Sequence, residues 1–99
     1  MPGEQRKQRR IRLDLPVHVT PLSGERRGES LGKLRDLSKG GCSFHLEHEI
    51  PVGNRVVLRI GLNEALSKKL EKQELTARGA VCRILREEDG FLLSVRFLK

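Results

Sequence analysis

Two short segments hold the side chains best suited to chemistry in this chain: Arg6-Lys-Gln-Arg-Arg10 and Asp36-Leu-Ser38-Lys-Gly-Gly41. The guanidinium groups of Arg6 and Arg10, with Arg9 beside them, can grip phosphate or the O6/N7 edge of guanine through paired N–H donors, and can stack on a base, which lysine does poorly. Asp36 brings an ionised acceptor for the N1 and N2 donors of guanine, a role no arginine fills. Ser38 offers a hydroxyl and a backbone N–H to a phosphate oxygen, while Gly40 and Gly41 permit positive φ and close backbone approach. Together the segments suit a dianion that carries guanine. Alone each is weak, because an RxxxR run arises easily in a basic chain and a DxSxxG run can be an ordinary turn whose side chain caps its own backbone.

The elements that must position these groups read as strands. Ile11, Leu13, Leu15, Val17 and Val19 alternate with polar neighbours at a period of two, which fits a half-buried strand and no helical face. Pro16 falls on the polar side and cannot donate to a ladder, so it marks an edge strand or a bulge. Residues 21–29 read as a charged, turn-rich connection. A second strand spans about Ser30 to Leu37, where Leu31, Leu34 and Leu37 break alternation and place a bulge near Gly32. After Gly40-Gly41, Cys42, Phe44 and Leu46 restart the alternation with Ser43, His45 and Glu47 outward.

Pro51 to Asn54 is a turn, followed by a fourth strand through Val56, Leu58, Ile60 and Leu62. The polar stretch from Asn63 to Glu74 fits either one or two helical turns capped by Asn63 or a solvated loop. A fifth strand runs from about Leu75 to Arg86 with a bend between Gly79 and Ile84. Glu88-Asp89-Gly90 then turns into a last strand, where Phe91, Leu93, Val95 and Phe97 alternate with Leu92, Ser94 and Arg96. Six strands with little helix make an all-β chain, a small antiparallel six-stranded barrel or split barrel with at most one short helix. Closing the sheet also removes exposed edges.

Bulk composition narrows the classes of function. Ninety-nine residues at 36% apolar content give one domain with a single core, too small for a catalytic domain plus a partner domain. Net charge is +7, and residues 1–12 carry five basic side chains against Glu4, so much of the excess sits on an N-terminal arm, residues 1–10, ahead of a barrel over 11–99. There is no apolar run long enough for a membrane span and Met1-Pro-Gly-Glu-Gln lacks a signal-peptide core, so the chain is expected in the cytoplasm. Cys42 and Cys82 form neither a disulfide framework nor a metal knuckle, and both are expected as small core residues. Cys42-x-x-His45-x-x-His48 suggests metal only until Cys42 and His45 are set on opposite faces of a strand. No nucleophile, base and orienting group share a spacing that suggests an enzyme.

Paired in order, the motifs carry more than their parts. Arg6-x-x-x-Arg10 running directly into Ile-Arg-Leu-Asp-Leu-Pro-Val17, then Asp36-x-Ser38-x-x-Gly41, and a closing strand Gly90-Phe-Leu-Leu-Ser-Val-Arg-Phe97 resemble the bacterial PilZ domain family over nearly the whole chain. The resemblance implies a six-stranded β-barrel that binds cyclic di-GMP, often as a stacked pair of molecules, with no catalysis and no further cofactor. Arg6 and Arg10 would then hold phosphates and guanine edges, Asp36 would read guanine, and Ser38 and Gly41 would form the receiving turn. A downstream protein partner is expected to sense the arm ordering over the barrel. The rival from another class is a nucleic-acid-binding barrel of oligonucleotide-binding type, which the charge favours. Zero Trp, zero Tyr and three Phe, all on core faces, leave it no stacking platform.

Overall fold

Burial follows the alternation closely, except at Ser43, an outward position by its sequence phase that is only 3% exposed. Leu15, Val17 and Val19 are buried while Asp14 and Pro16 are exposed, and the same phase buries Cys42, Phe44 and Leu46, then Val56, Leu58 and Ile60, then Leu93 and Val95. The computed structural model describes residues 11–22 and 28–98, with side chains from Asp14 onward; the N-terminal arm, with Arg6, Arg9 and Arg10, lies outside the described residues. The elements are β1 (Ile11–Pro21), β2 (Ser30–Leu37), β3 (Gly41–Leu46), β4 (Arg55–Gly61), α1 (Glu64–Leu70), β5 (Glu74–Glu87) and β6 (Gly90–Phe97).

All pairings are antiparallel and close a barrel in the order β1-β2-β3-β6-β5-β4. The closing seam pairs β1 with β4, from Val17 opposite Ile60 to Pro21 opposite Val56. Its interior is filled by the fully buried Leu34, Phe44, Leu46, Ile50, Leu58, Ile60 and Leu93 with surrounding valines. Each such side chain contributes roughly 1.5–3 kcal/mol relative to exposure, so one apolar stripe per strand suffices to hold six short strands together.

The structure decides between some sequence expectations and corrects others. Of the two readings of Pro16 the bulge holds: β1 pairs on both sides, and Pro16 follows a register shift against β2 between Arg12 and Leu15. On β2 the irregularity is not at Gly32, which pairs regularly with Val17, but between Leu34 and Asp36 in the pairing to β3. Gly32 serves another purpose, because a Cβ there would collide with the His45 carbonyl oxygen of the adjacent strand. The 63–74 stretch resolves to a helix: Asn63 Oδ1 accepts from Leu66 N at 2.9 Å, and Glu71 ends it in the left-handed region at φ 55°. Leu66 anchors that helix against the core.

Cys82 is exposed, in contrast to the buried Cys42. The register of β5 against β6 shifts between Val81 and Arg83, at the bend expected after Gly79, and that bulge turns Cys82 and Arg83 both to the outside.

Candidate functional site

Asp36 owes its outward placement to the bulge on β2. Leu34 pairs with Phe44 and Asp36 with Ser43, so Arg35 is the extra residue, and Arg35 and Asp36 both leave the core face before Leu37 turns back to pack against it. One residue later β2 enters the turn that carries Ser38, Gly40 and Gly41. Ser38 N donates to Gly41 O at 2.8 Å, Ser38 Oγ donates to the same oxygen at 3.2 Å, and Phe97 N donates to Gly40 O at 2.9 Å. The turn is therefore stitched both to itself and to the end of β6.

Two expectations change at this turn. The positive-φ glycines among the described residues are Gly28, Gly53 and Gly90, so neither Gly40 nor Gly41 is needed for a left-handed backbone. Gly41 is required for close approach, since a Cβ there would collide with the Val95 carbonyl oxygen. The Ser38 hydroxyl spends its proton on Gly41 O, which leaves its lone pairs to accept and its rotation as the route to donating outward.

Ile11, the residue that follows Arg10, pairs with Leu37, the residue that precedes Ser38. The chain thus enters the barrel at the rim where Asp36, Ser38 and Gly41 sit. Arg6, Arg9 and Arg10 themselves fall outside the described residues. Burial pushes the Cys42 thiol up to about 12, with the Asp36 carboxylate as the next cause and Cys82 after it. Cys42 faces the core and His45 the outer surface, while Ser30 Oγ lies 2.9 Å from His48 Nε2.

Sequence reasoning missed two cations on the same outer surface. Asp36 pairs with Ser43, Ser43 with Ser94 and Ser94 with Arg83, so one row runs from Asp36 to Arg83 across β2, β3, β6 and β5. In the next row Gly41 pairs with Arg96, Arg96 with Ala80 and Ala80 with Arg55. Alternation alone puts Arg96 outward, but only the non-consecutive order β3-β6-β5 brings it beside Gly41. At the other end of β3, Lys33, Arg35, His45, Glu87, Glu88 and Asp89 line a depression of about 390 Å³. Two cations there, Lys33 and Arg35, stand among three carboxylates, Glu87, Glu88 and Asp89, with Arg35 forked onto Glu87. That depression is ill suited to an anion. Phe44 is buried and Phe91 and Phe97 pack against the core, so the described residues present no exposed ring for base stacking.

The model of the PilZ domain family matches residues 4–99, a span that includes both motifs and all six strands. The chain belongs to the PilZ domain family. Solved PilZ-like structures share its fold. Bacillus subtilis Inhibitor of motility (MotI/DgrA) superposes with a TM-score of 0.74 at 17% identity over 97% of this chain and 44% of its own. The PilZ domain with c-di-GMP of YcgR from Escherichia coli gives 0.69 at 19% identity, covering 97% of this chain and 79% of its own. The K. pneumonia MrkH–c-di-GMP complex gives 0.64 at 18%, covering 97% and 45%. This PilZ chain thus spans less than half the length of the first and the last of these. Comparison with curated proteins returns no match. Among the described residues, no helix of this PilZ domain is long and apolar enough to cross a membrane.

Proposed function

We propose that this PilZ domain is a cyclic di-GMP receptor. The observation that carries the reading is the bulge that turns Asp36 outward beside the Ser38–Gly41 turn, at the rim where β1 begins one residue after Arg10. Arg6, Arg9 and Arg10 supply guanidinium groups for phosphates and the O6/N7 edges; Asp36 accepts from guanine N1 and N2; Ser38, Gly40 and Gly41 form the floor that admits a ligand. Two solved relatives whose fold it shares, of YcgR and MrkH, hold c-di-GMP, which supports the ligand class.

The mechanism is binding without catalysis and without a cofactor. A dianion seated at the rim neutralises the arm's positive charges and holds them against the barrel, which changes the surface offered to a protein partner in the cytoplasm. Calorimetric titration with cyclic di-GMP tests this. Arg10→Ala is expected to lose roughly thirtyfold in affinity, about 2 kcal/mol, through lost charge-assisted hydrogen bonds. Equal affinity for wild type and variant removes Arg10 from the site.

A further inference from the structure

Arg83 and Arg96 stand on the outer surface with no partner that explains them. Both are exposed, and among the described residues neither pairs with a carboxylate, whereas Arg59 on the adjacent β4 and Arg35 on β2 each do. Arg55 joins them across Ala80, and Arg78 is exposed on the same face of β5, so guanidinium groups gather on the β4–β5–β6 surface. Like charges at such spacing repel, and a counter-anion relieves the repulsion.

Their position relative to the receiving turn is fixed by backbone pairing. Arg96 is the direct cross-strand neighbour of Gly41, and the bond from Phe97 N to Gly40 O holds its strand end to the turn. Arg83 ends the row that starts at Asp36, three inter-strand steps away, on the order of 14 Å at about 4.8 Å per step. Only the small side chains of Ser43, which is 3% exposed, and half-buried Ser94 lie between, so a ligand would rest over this row rather than on Ser43 itself. The surface is thus acidic at one end, cationic at the other and low in the middle, which matches a ligand that offers guanine donors at one end and a phosphate at the other.

We propose that Arg96 and Arg83 are ligand-binding residues, and that they hold a phosphate of cyclic di-GMP on the β6–β5 side while Asp36 reads guanine on the β2 side. This rests on the receptor reading above. The cations of the site then come from two sources: the chain before β1, and the outer face of β5 and β6. Guanidinium is suited to the role because it binds phosphate through paired N–H groups and keeps its charge at every physiological pH.

The test is calorimetric titration of the full chain with cyclic di-GMP, comparing wild type with Arg96→Ala, Arg83→Ala and Arg86→Ala. Arg86→Ala is the charge control, since it removes the same charge from an exposed position that pairs with Phe91 at the hairpin end of β5. Arg96→Ala is expected to weaken binding about tenfold and Arg83→Ala about fivefold, with Arg86→Ala within about twofold of wild type. Arg96→Lys is expected to recover only part of the loss, because ammonium cannot fork onto phosphate. Cyclic di-AMP serves as a second probe, and any affinity for it should fall by the same factors, since phosphate is common to both. Thermal melting of each variant separates lost contacts from lost folding, and the glutamine variant at the same position replaces any alanine variant that melts early. Wild-type binding with Arg96→Ala and Arg83→Ala no weaker than Arg86→Ala overturns this inference alone. Absence of wild-type binding overturns the receptor reading itself, and this inference with it.

Discussion

Arg35 in the β2 bulge and Glu87 at the end of β5 form a two-pronged ion pair, with Nη1 to Oε2 and Nη2 to Oε1 both at 3.2 Å across 52 positions of sequence. The pair ties the residue beside Asp36 to a strand that is not its neighbour in the sheet. We expect Arg35→Ala and Glu87→Ala each to lower stability by about 1 kcal/mol, the range for a well-aligned, partly exposed pair. A double-mutant cycle in urea checks the coupling: the double variant should be no worse than either single one. Strict additivity would mean the two groups act separately. Because the pair steadies the bulge, both variants should also bind cyclic di-GMP more weakly.

Asp36 sets the choice of base in this account. Asp36→Ala is expected to weaken cyclic di-GMP about tenfold, since a charge-assisted hydrogen bond to the paired N1 and N2 donors is lost. Adenine lacks that donor pair, so binding of cyclic di-AMP should change little. Titrating both ligands against both proteins tests the role, and equal losses would contradict it.

Much of the barrel was legible in the sequence, and the reason is local. Alternation at Leu15, Val17 and Val19, at Cys42, Phe44 and Leu46, and at Leu93 and Val95 reports which side of a strand is buried without reference to any partner. Asn63 likewise offered a cap for one of the two readings of its stretch, and the helix is the one that forms. What was not legible depends on pairing between distant strands. Leu31, Leu34 and Leu37 show that β2 breaks phase, but the break falls at Arg35 because of how β2 meets Phe44 and Ser43. Cys82 reads as a core residue until the β5 bulge turns it out beside Arg83. Arg96 was visibly outward, yet its position beside Gly41 follows from β6 pairing with β3, which no short-range pattern announces.

Gly41→Ala isolates the close approach at the turn. A Cβ there must displace the Val95 carbonyl oxygen, which belongs to a paired strand and cannot rotate away. Forcing an extra methyl into such a site costs typically 1–3 kcal/mol, so we expect a loss of about 2 kcal/mol in chemical unfolding together with weakened ligand binding. An unchanged unfolding midpoint would show that the turn tolerates a side chain.

The two thiols should behave differently. Cys42 is buried with its thiol pushed up to about 12, while Cys82 is exposed, so a disulfide reagent at pH 8 is expected to label one cysteine in the native protein and two in denaturant. Cys82→Ser should abolish native labelling. The sign of the pH effect follows from the raised value. The unfolded chain loses the Cys42 proton near 9 and the folded chain near 12, so the buried neutral thiol favours folding fully below pH 9 and progressively less as pH climbs toward 12. Urea unfolding of wild type and Cys42→Ala at pH 8 and pH 10.5 should show a larger alkaline loss in wild type than in the variant.

Backbone amide resonances of the folded protein, followed by NMR during addition of cyclic di-GMP, test the central claim most directly. The account predicts large, saturable shifts at Asp36, Ser38, Gly40 and Gly41, with the hairpin around Asp89 and Gly90 unmoved. A titration to excess ligand that leaves the Asp36–Gly41 amides in place would contradict it.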